Sequence, residues 1–186
     1  MRPPPDRLTV RFTLCARDLA HLRAVAEHAS ARAAARPLES IAAAARARAA
    51  ELRKFQPPAF VEERVAGLVE LIDLVEDADW RPPDRVRERV RAALVYFTEP
   101  DDLIADEVPG LGFLDDAIVI ELYARELVHE REAYRAFTRF RAGARRRSTR
   151  RGPEWLAAQL AARRRRLRAR VAEREQAPVV RRWRGR

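Results

Sequence analysis

The stretch RAALVYFTEPDDLIADEVPGLGFLDDAIVIELYARELVHEREAYRAF, residues 91–137, decides the fold. It opens on an apolar helix end, Leu94-Val95-Tyr96-Phe97. Glu99 ends that helix, because a residue before proline is biased out of helical geometry. Residues 100–106 read as one short helical turn with Pro100 at its first position, and Pro109-Gly110 and Gly112 then reverse the chain. Asp115 reads as the N-cap of a long second helix, with Leu114 and Val119 at the positions of a hydrophobic staple. That helix is expected to reach about Phe140, burying Val119, Ile120, Tyr123, Leu127, Tyr134 and Phe137. Two apolar helices clasp an acidic turn.

Working outward, the residues before this hairpin divide into helices at prolines. Trp80-Arg81-Pro82-Pro83 is a corner that sets the first clasping helix at Asp84–Thr98, with Val86, Val90, Ala93, Leu94 and Phe97 inward. Before it, Pro57-Pro58 opens a helix to about Asp77. Its Val61, Val65, Leu68, Ile72 and Val75 recur at the spacing of one buried helical stripe. Two further helices are expected at about 17–35 and 37–55, the second with a thin stripe of Ile41, Ala45, Leu52 and Phe55 interrupted by Arg48. At the start, Leu8, Val10, Phe12 and Leu14 alternate with polar residues, which reads as a short strand or extended arm. Beyond Gly143, residues 144–152 read as a basic linker. A last helix is expected from Pro153 to about Glu175, with Trp155, Leu156, Leu160, Leu167 and Val171 on one side, followed by a disordered tail.

The turn resembles the YkvA-like family, a domain of unknown function (1232). The residues that carry the resemblance are Pro100, Asp102, Leu103, Ile104, Asp106, Pro109, Leu111, Gly112, Asp115 and Asp116, in unbroken spacing. Glu99 and Ala105 depart from it, standing where the family has Ser and Pro. The resemblance implies a helical core over about 84–140 and a motif or recognition turn at Pro100, Asp102, Asp106, Pro109, Gly112, Asp115 and Asp116. It implies no activity, and membrane association is often attributed to the family. The N-terminal strand followed by two helices is more loosely similar to a ribbon-helix-helix DNA-binding module, but the polar loop usual between those helices is replaced by ARAAAR at 31–36.

Composition limits the function classes. The chain has 186 residues, 47% of them hydrophobic, with few glycines (6) and few aromatics (7%), a balance that favours helices. One cysteine, Cys15, allows no internal disulfide, and it reads as a small buried side chain rather than a reactive thiol. No run approaches the ~18 apolar residues of a spanning helix, and the first residues lack the apolar run of a signal peptide. The serines Ser30, Ser40 and Ser148 lie in no nucleophile-elbow context, and no Gly-rich phosphate loop is present. His21 and His28 are seven apart, outside the i,i+4 spacing of a metal pair, and His129 stands among charges.

Charge is unevenly placed within the net +10. Residues 1–56 carry 11 basic and 5 acidic side chains, residues 57–137 carry 9 and 20, and residues 138–186 carry 18 and 3. The acidic turn has two readings. Hard cations want several converging oxygens, and Asp102 and Asp106 share a helical spacing. Alternatively each acid serves the chain itself, by capping a helix or by pairing with an arginine such as Arg91 or Arg125. The second is preferred, and no metal or other cofactor is expected. The basic end, through Arg145, Arg146, Arg147, Arg150, Arg151 and the run Arg163, Arg164, Arg165 and Arg166, suits a polyanion. Anionic lipid headgroups and nucleic acid are both eligible.

The sequence therefore predicts an all-α protein, a five- or six-helix bundle with an N-terminal strand or arm and a basic C-terminal helix. Its divisions are an arm at 1–15, a bundle at 16–143 and a basic segment at 144–186. The expected role is a non-enzymatic accessory or scaffold protein that binds a partner protein or an anionic membrane surface. Non-specific nucleic-acid binding through the basic ends is the alternative, and a metal-dependent enzyme at the acidic turn comes third. A homodimer through the N-terminal strand would pair its edge. The expected place is cytoplasmic, with a peripheral position at the inner membrane face as a variant.

Overall fold

A computed structural model describes residues 13–54, 57–99 and 113–176. Seven helices are present among them: α1 (Ala16–Arg32), α2 (Leu38–Lys54), α3 (Ala59–Glu76), α4 (Asp84–Thr98), α5 (Leu114–Glu126), α6 (Val128–Ser148) and α7 (Pro153–Gln176). No strand occurs among the described residues. Of the expected N-terminal strand, Leu8, Val10 and Phe12 lie outside them, and residues 13–15 are irregular. The turn at 100–112, Phe55 and the tail beyond 176 also lie outside.

The expected stripes are the ones buried. Val61, Val65, Leu68, Ile72 and Val75 of α3 meet Val86, Val90, Ala93, Leu94 and Phe97 of α4 and Val119, Ile120 and Tyr123 of α5 in one apolar cluster. α3, α4 and α5 pack on one another at the centre, α1 and α2 cover α4, and α7 lies along α6. Leu160, Leu167 and Val171 of α7 join the same cluster.

The helix count departs from the expected five or six, because the single helix expected from Asp115 to Phe140 is two. The chain turns at Leu127, whose backbone sits at φ −96° and ψ 15°. Neither glycine nor proline marks this break. The two halves have different burial demands: α5 is enclosed by α1, α3 and α4 and hides eight residues, whereas α6 hides Glu130, Ala133, Tyr134, Phe137 and Ala144 along one face. One straight helix could not meet both. α6 then continues through the stretch read as a linker, to Ser148, so position 143 falls inside a helix. Cys15, expected to be buried, is exposed, because it precedes the first turn of α1. Its N–H donates to Asp18 Oδ2 at 2.8 Å, which holds the Asp18 carboxyl below its usual range.

The corner between α3 and α4 ties the two halves of the molecule together. Asp77 ends α3, and its Oδ1 accepts from the N–H groups of Asp79 (2.9 Å) and Trp80 (3.1 Å). Arg81 takes a positive φ of 51°, so the corner carries some backbone strain. The Trp80 ring is turned inward, completely buried, against Tyr134 and Phe137 of α6 at centroid distances of 5.9 and 5.1 Å. Its Nε1–H donates to Glu130 Oε1 at 3.0 Å. From α7, Arg168 lies over the Trp80 ring and donates to the Trp80 carbonyl at 2.7 Å, while Arg164 donates to the Asp79 carbonyl at 2.6 Å.

Burial raises the Glu130 carboxyl above its ordinary range, against the opposing hydrogen bond from Trp80 and the nearby Arg168 charge. A carboxyl raised in the folded state favours the protonated form. Its contribution is full below the unfolded pKa and is lost as pH rises through the folded one. Glu130→Gln should therefore be more stable than the parent at neutral pH, with the difference vanishing near about pH 4. Urea denaturation at both pH values checks this.

Candidate functional site at the N-terminus of α5

Side chains of α2 and α4 meet at the start of α5. The cap of α5 stands two residues earlier than expected. Phe113, at φ 66° and ψ 9°, takes the cap position in left-handed geometry, so Asp115 and Asp116 lie inside the first turn and Asp115 is not the N-cap. The first-turn amides are free of intrahelical partners and carry the positive end of the helix dipole, which favours acids here. Both acids are buried, Asp116 completely. Tyr96, near the end of α4, donates from its hydroxyl to Asp115 Oδ2 at 3.3 Å.

Arg48 of α2 approaches from the other side. Its guanidinium stands 3.7 Å from Asp116 Oδ2 and 5.5 Å from the ring centres of both Phe97 and Phe113. Sequence reading treats Arg48 as an interruption of the α2 stripe. Its signal is that very interruption: an arginine on an apolar face needs an inward carboxylate. The arginines proposed as partners are engaged elsewhere. Arg91 donates to the carbonyls of Ala33, Ala34 and Arg36 at the α1–α2 corner, and Arg125 pairs with Glu121 at 2.6 Å. Pro100, Asp102, Asp106, Pro109 and Gly112 fall outside the described residues. Among the described ones, no three His, Cys, Asp or Glu side chains are grouped as a metal would need.

The basic end is divided by the helical rotation of α7. Arg163 and Arg164 turn toward the body, Arg163 over the Phe140 ring and Arg164 onto the Asp79 carbonyl, while Arg165 and Arg166 are exposed. At the α6–α7 turn Arg145 stands 3.7 Å from Asp79 with 63% of its side chain exposed. Arg146, Arg147 and Arg150 are exposed, and no carboxylate among the described residues pairs with them. Arg151 lies over the Trp155 ring at 5.3 Å. The structure thus places Arg146, Arg147, Arg150 and Arg151 at the hairpin turn, while Arg145 meets Arg164 of the run at Asp79.

These features define a helical domain with an enclosed acidic helix start and an arginine-rich α6–α7 hairpin. Residues 90–122 match the family described as "Protein of unknown function (DUF1232)". The chain is YkvA-like in part: it is 44% identical over 50 residues to "Uncharacterized membrane protein YkvA" of Bacillus subtilis (strain 168). That match covers 24% of this chain and 47% of the relative, so the chain spans about half the length of the curated relative it matches. No solved structure matches the chain significantly. Among the described residues no helix is long and apolar enough to cross a membrane.

Proposed function

We propose that the chain is a non-enzymatic peripheral protein that holds to an anionic membrane surface through the tip of the α6–α7 hairpin. The observation that carries this is the group of exposed arginines without acidic partners, Arg146, Arg147 and Arg150, beside Arg151 on Trp155. Each basic residue near an anionic bilayer contributes about 1 kcal/mol. A half-buried tryptophan beside them suits the interfacial zone, where one end of the ring is wet. The relative's description as a membrane protein supports the reading.

Vesicle co-sedimentation across a salt series tests it. The protein should bind vesicles rich in phosphatidylglycerol, not purely zwitterionic ones, and the affinity should fall with salt. Replacing Arg146, Arg147, Arg150 and Arg151 together with Gln should cost about 4 kcal/mol, roughly a thousandfold. Undiminished binding by that variant would remove the tip from the site. Sedimentation with duplex DNA or RNA in place of vesicles would turn the same charges to nucleic acid.

A further inference from the structure

Two antiparallel helices packed side by side form a groove along each of their open edges. Along α6 and α7 one side is occupied by Trp80 and the α3–α4 corner. A second groove of about 450 Å³ is open and is lined by α6 and α7 alone. Its floor is Ala133 and Ala136 of α6 with Leu167 and Val171 of α7. The alanines are small enough to let another backbone approach closely. From His129 to Arg139 the α6 wall advances ten residue steps, or about 15 Å at 1.5 Å per residue.

Charge selects the occupant. Arg135 is taken by Glu70 of α3, and Arg174 by Glu132 at 2.7 Å. Arg139 and Arg170, one on each wall, have no carboxylate partner among the described residues. The groove therefore keeps two uncompensated positive charges above an apolar floor. A flat bilayer face reaches protruding groups, not the floor of a concave slot, whereas a helix fits a slot between two others.

We propose that this groove seats a helix of a partner protein. That helix turns a stripe of small apolar residues inward and carries acidic residues three or four positions apart along its edges, where they meet Arg139 and Arg170. The surface is separate from the hairpin tip and does not depend on membrane binding.

A display library of helix-stabilised peptides about 12 residues long, selected against the full chain, tests this. The enriched sequences are expected to combine an apolar stripe with flanking Asp or Glu. Arg139→Glu with Arg170→Glu should weaken the best peptide at least about tenfold, while the four tip substitutions leave it unchanged. Both arginines are unpaired, so the double variant should keep its helical circular dichroism. Should it unfold, Arg139→Gln alone must still weaken the peptide. Exchanging the peptide's acids for lysine should restore binding to the Glu variant. Enrichment of non-acidic peptides, no enrichment, or indifference to the substitutions would overturn the proposal. So would a loss of vesicle binding in the groove variant as large as in the tip variant, since the groove would then belong to the membrane face.

Discussion

Replacing Trp80 with alanine should lower the unfolding free energy by about 3–5 kcal/mol, the range for emptying a large aromatic site. For a chain of this length that is a fall in melting temperature on the order of 10 °C. Trp80 is completely buried and heads the largest enclosed side chains. Its loss would leave a void between Tyr134 and Phe137, remove the platform under Arg168, and strip Glu130 of its donor. Trp80→Phe separates these causes, because it keeps most of the ring while removing the N–H. It should fall between the parent and the alanine variant. Combined with Glu130→Gln it should lose less than the two separate changes imply, since an amide left without the indole donor costs less than a buried charge. Thermal and urea unfolding of the four proteins measure the cycle. An alanine variant within about 1 kcal/mol of the parent would mean that the corner collapses without cost, against the packing described.

Asp77→Ala is expected to cost about 3 kcal/mol or more, because it removes one member of an enclosed ion pair and leaves the other without its charge. The Asp77 side chain is 6% exposed, pairs with Arg141 at 2.7 Å, and accepts from the Tyr134 hydroxyl at 3.1 Å as well as from the corner amides. Burial works against its charge, but the Arg141 hydrogen bond and the Trp80 N–H outweigh it and hold the carboxyl below its usual range. A carboxyl lowered in the folded state contributes stability above the unfolded pKa. That contribution is lost as pH falls through the folded one. The parent should therefore lose this part of its stability only below the ordinary aspartate range. Asp77→Asn keeps an acceptor for the amides, so it should lose less than alanine at neutral pH and lack that part of the acid slope. Denaturation midpoints between neutral and acid pH check both statements. An Asn variant with the parent's full acid slope would place the titration elsewhere, Glu70 with its Arg131 and Arg135 partners being the next group of this kind.

The helices bounded by proline were legible in the sequence. Pro82-Pro83 and Glu99-Pro100 punctuate both ends of α4, and its expected limits, Asp84 and Thr98, are those observed. The break at Leu127 was not legible, because burial by distant helices imposes it and local chemistry leaves no mark. Asp115 misled for a related reason. Aspartate favours the cap position, but Phe113 adopts the left-handed turn and takes the cap, which leaves the acid two positions inside the first turn. At the candidate site, the acids were visible as a group. Arg48 was visible only as an irregularity, since Asp116 lies far along the chain. The network around Trp80 joins residues 50 and 88 positions apart, a relation that no local pattern encodes. The Arg163–Arg166 run looked uniform as a string, yet a helix turns about 100° per residue and divides it between body and solvent.

The bonds from Arg164 and Arg168 to the Asp79 and Trp80 carbonyls have a consequence for how the chain is made. They reach back 85 and 88 residues. During synthesis the corner therefore leaves the ribosome long before its last two donors exist. At about 5–20 residues per second the delay is several seconds or more. Through that interval water must serve both carbonyls, and the indole waits without the guanidinium that covers it. Arrival of the final helix seals the corner, and a nascent chain stalled before Arg168 presents this tryptophan to chaperones.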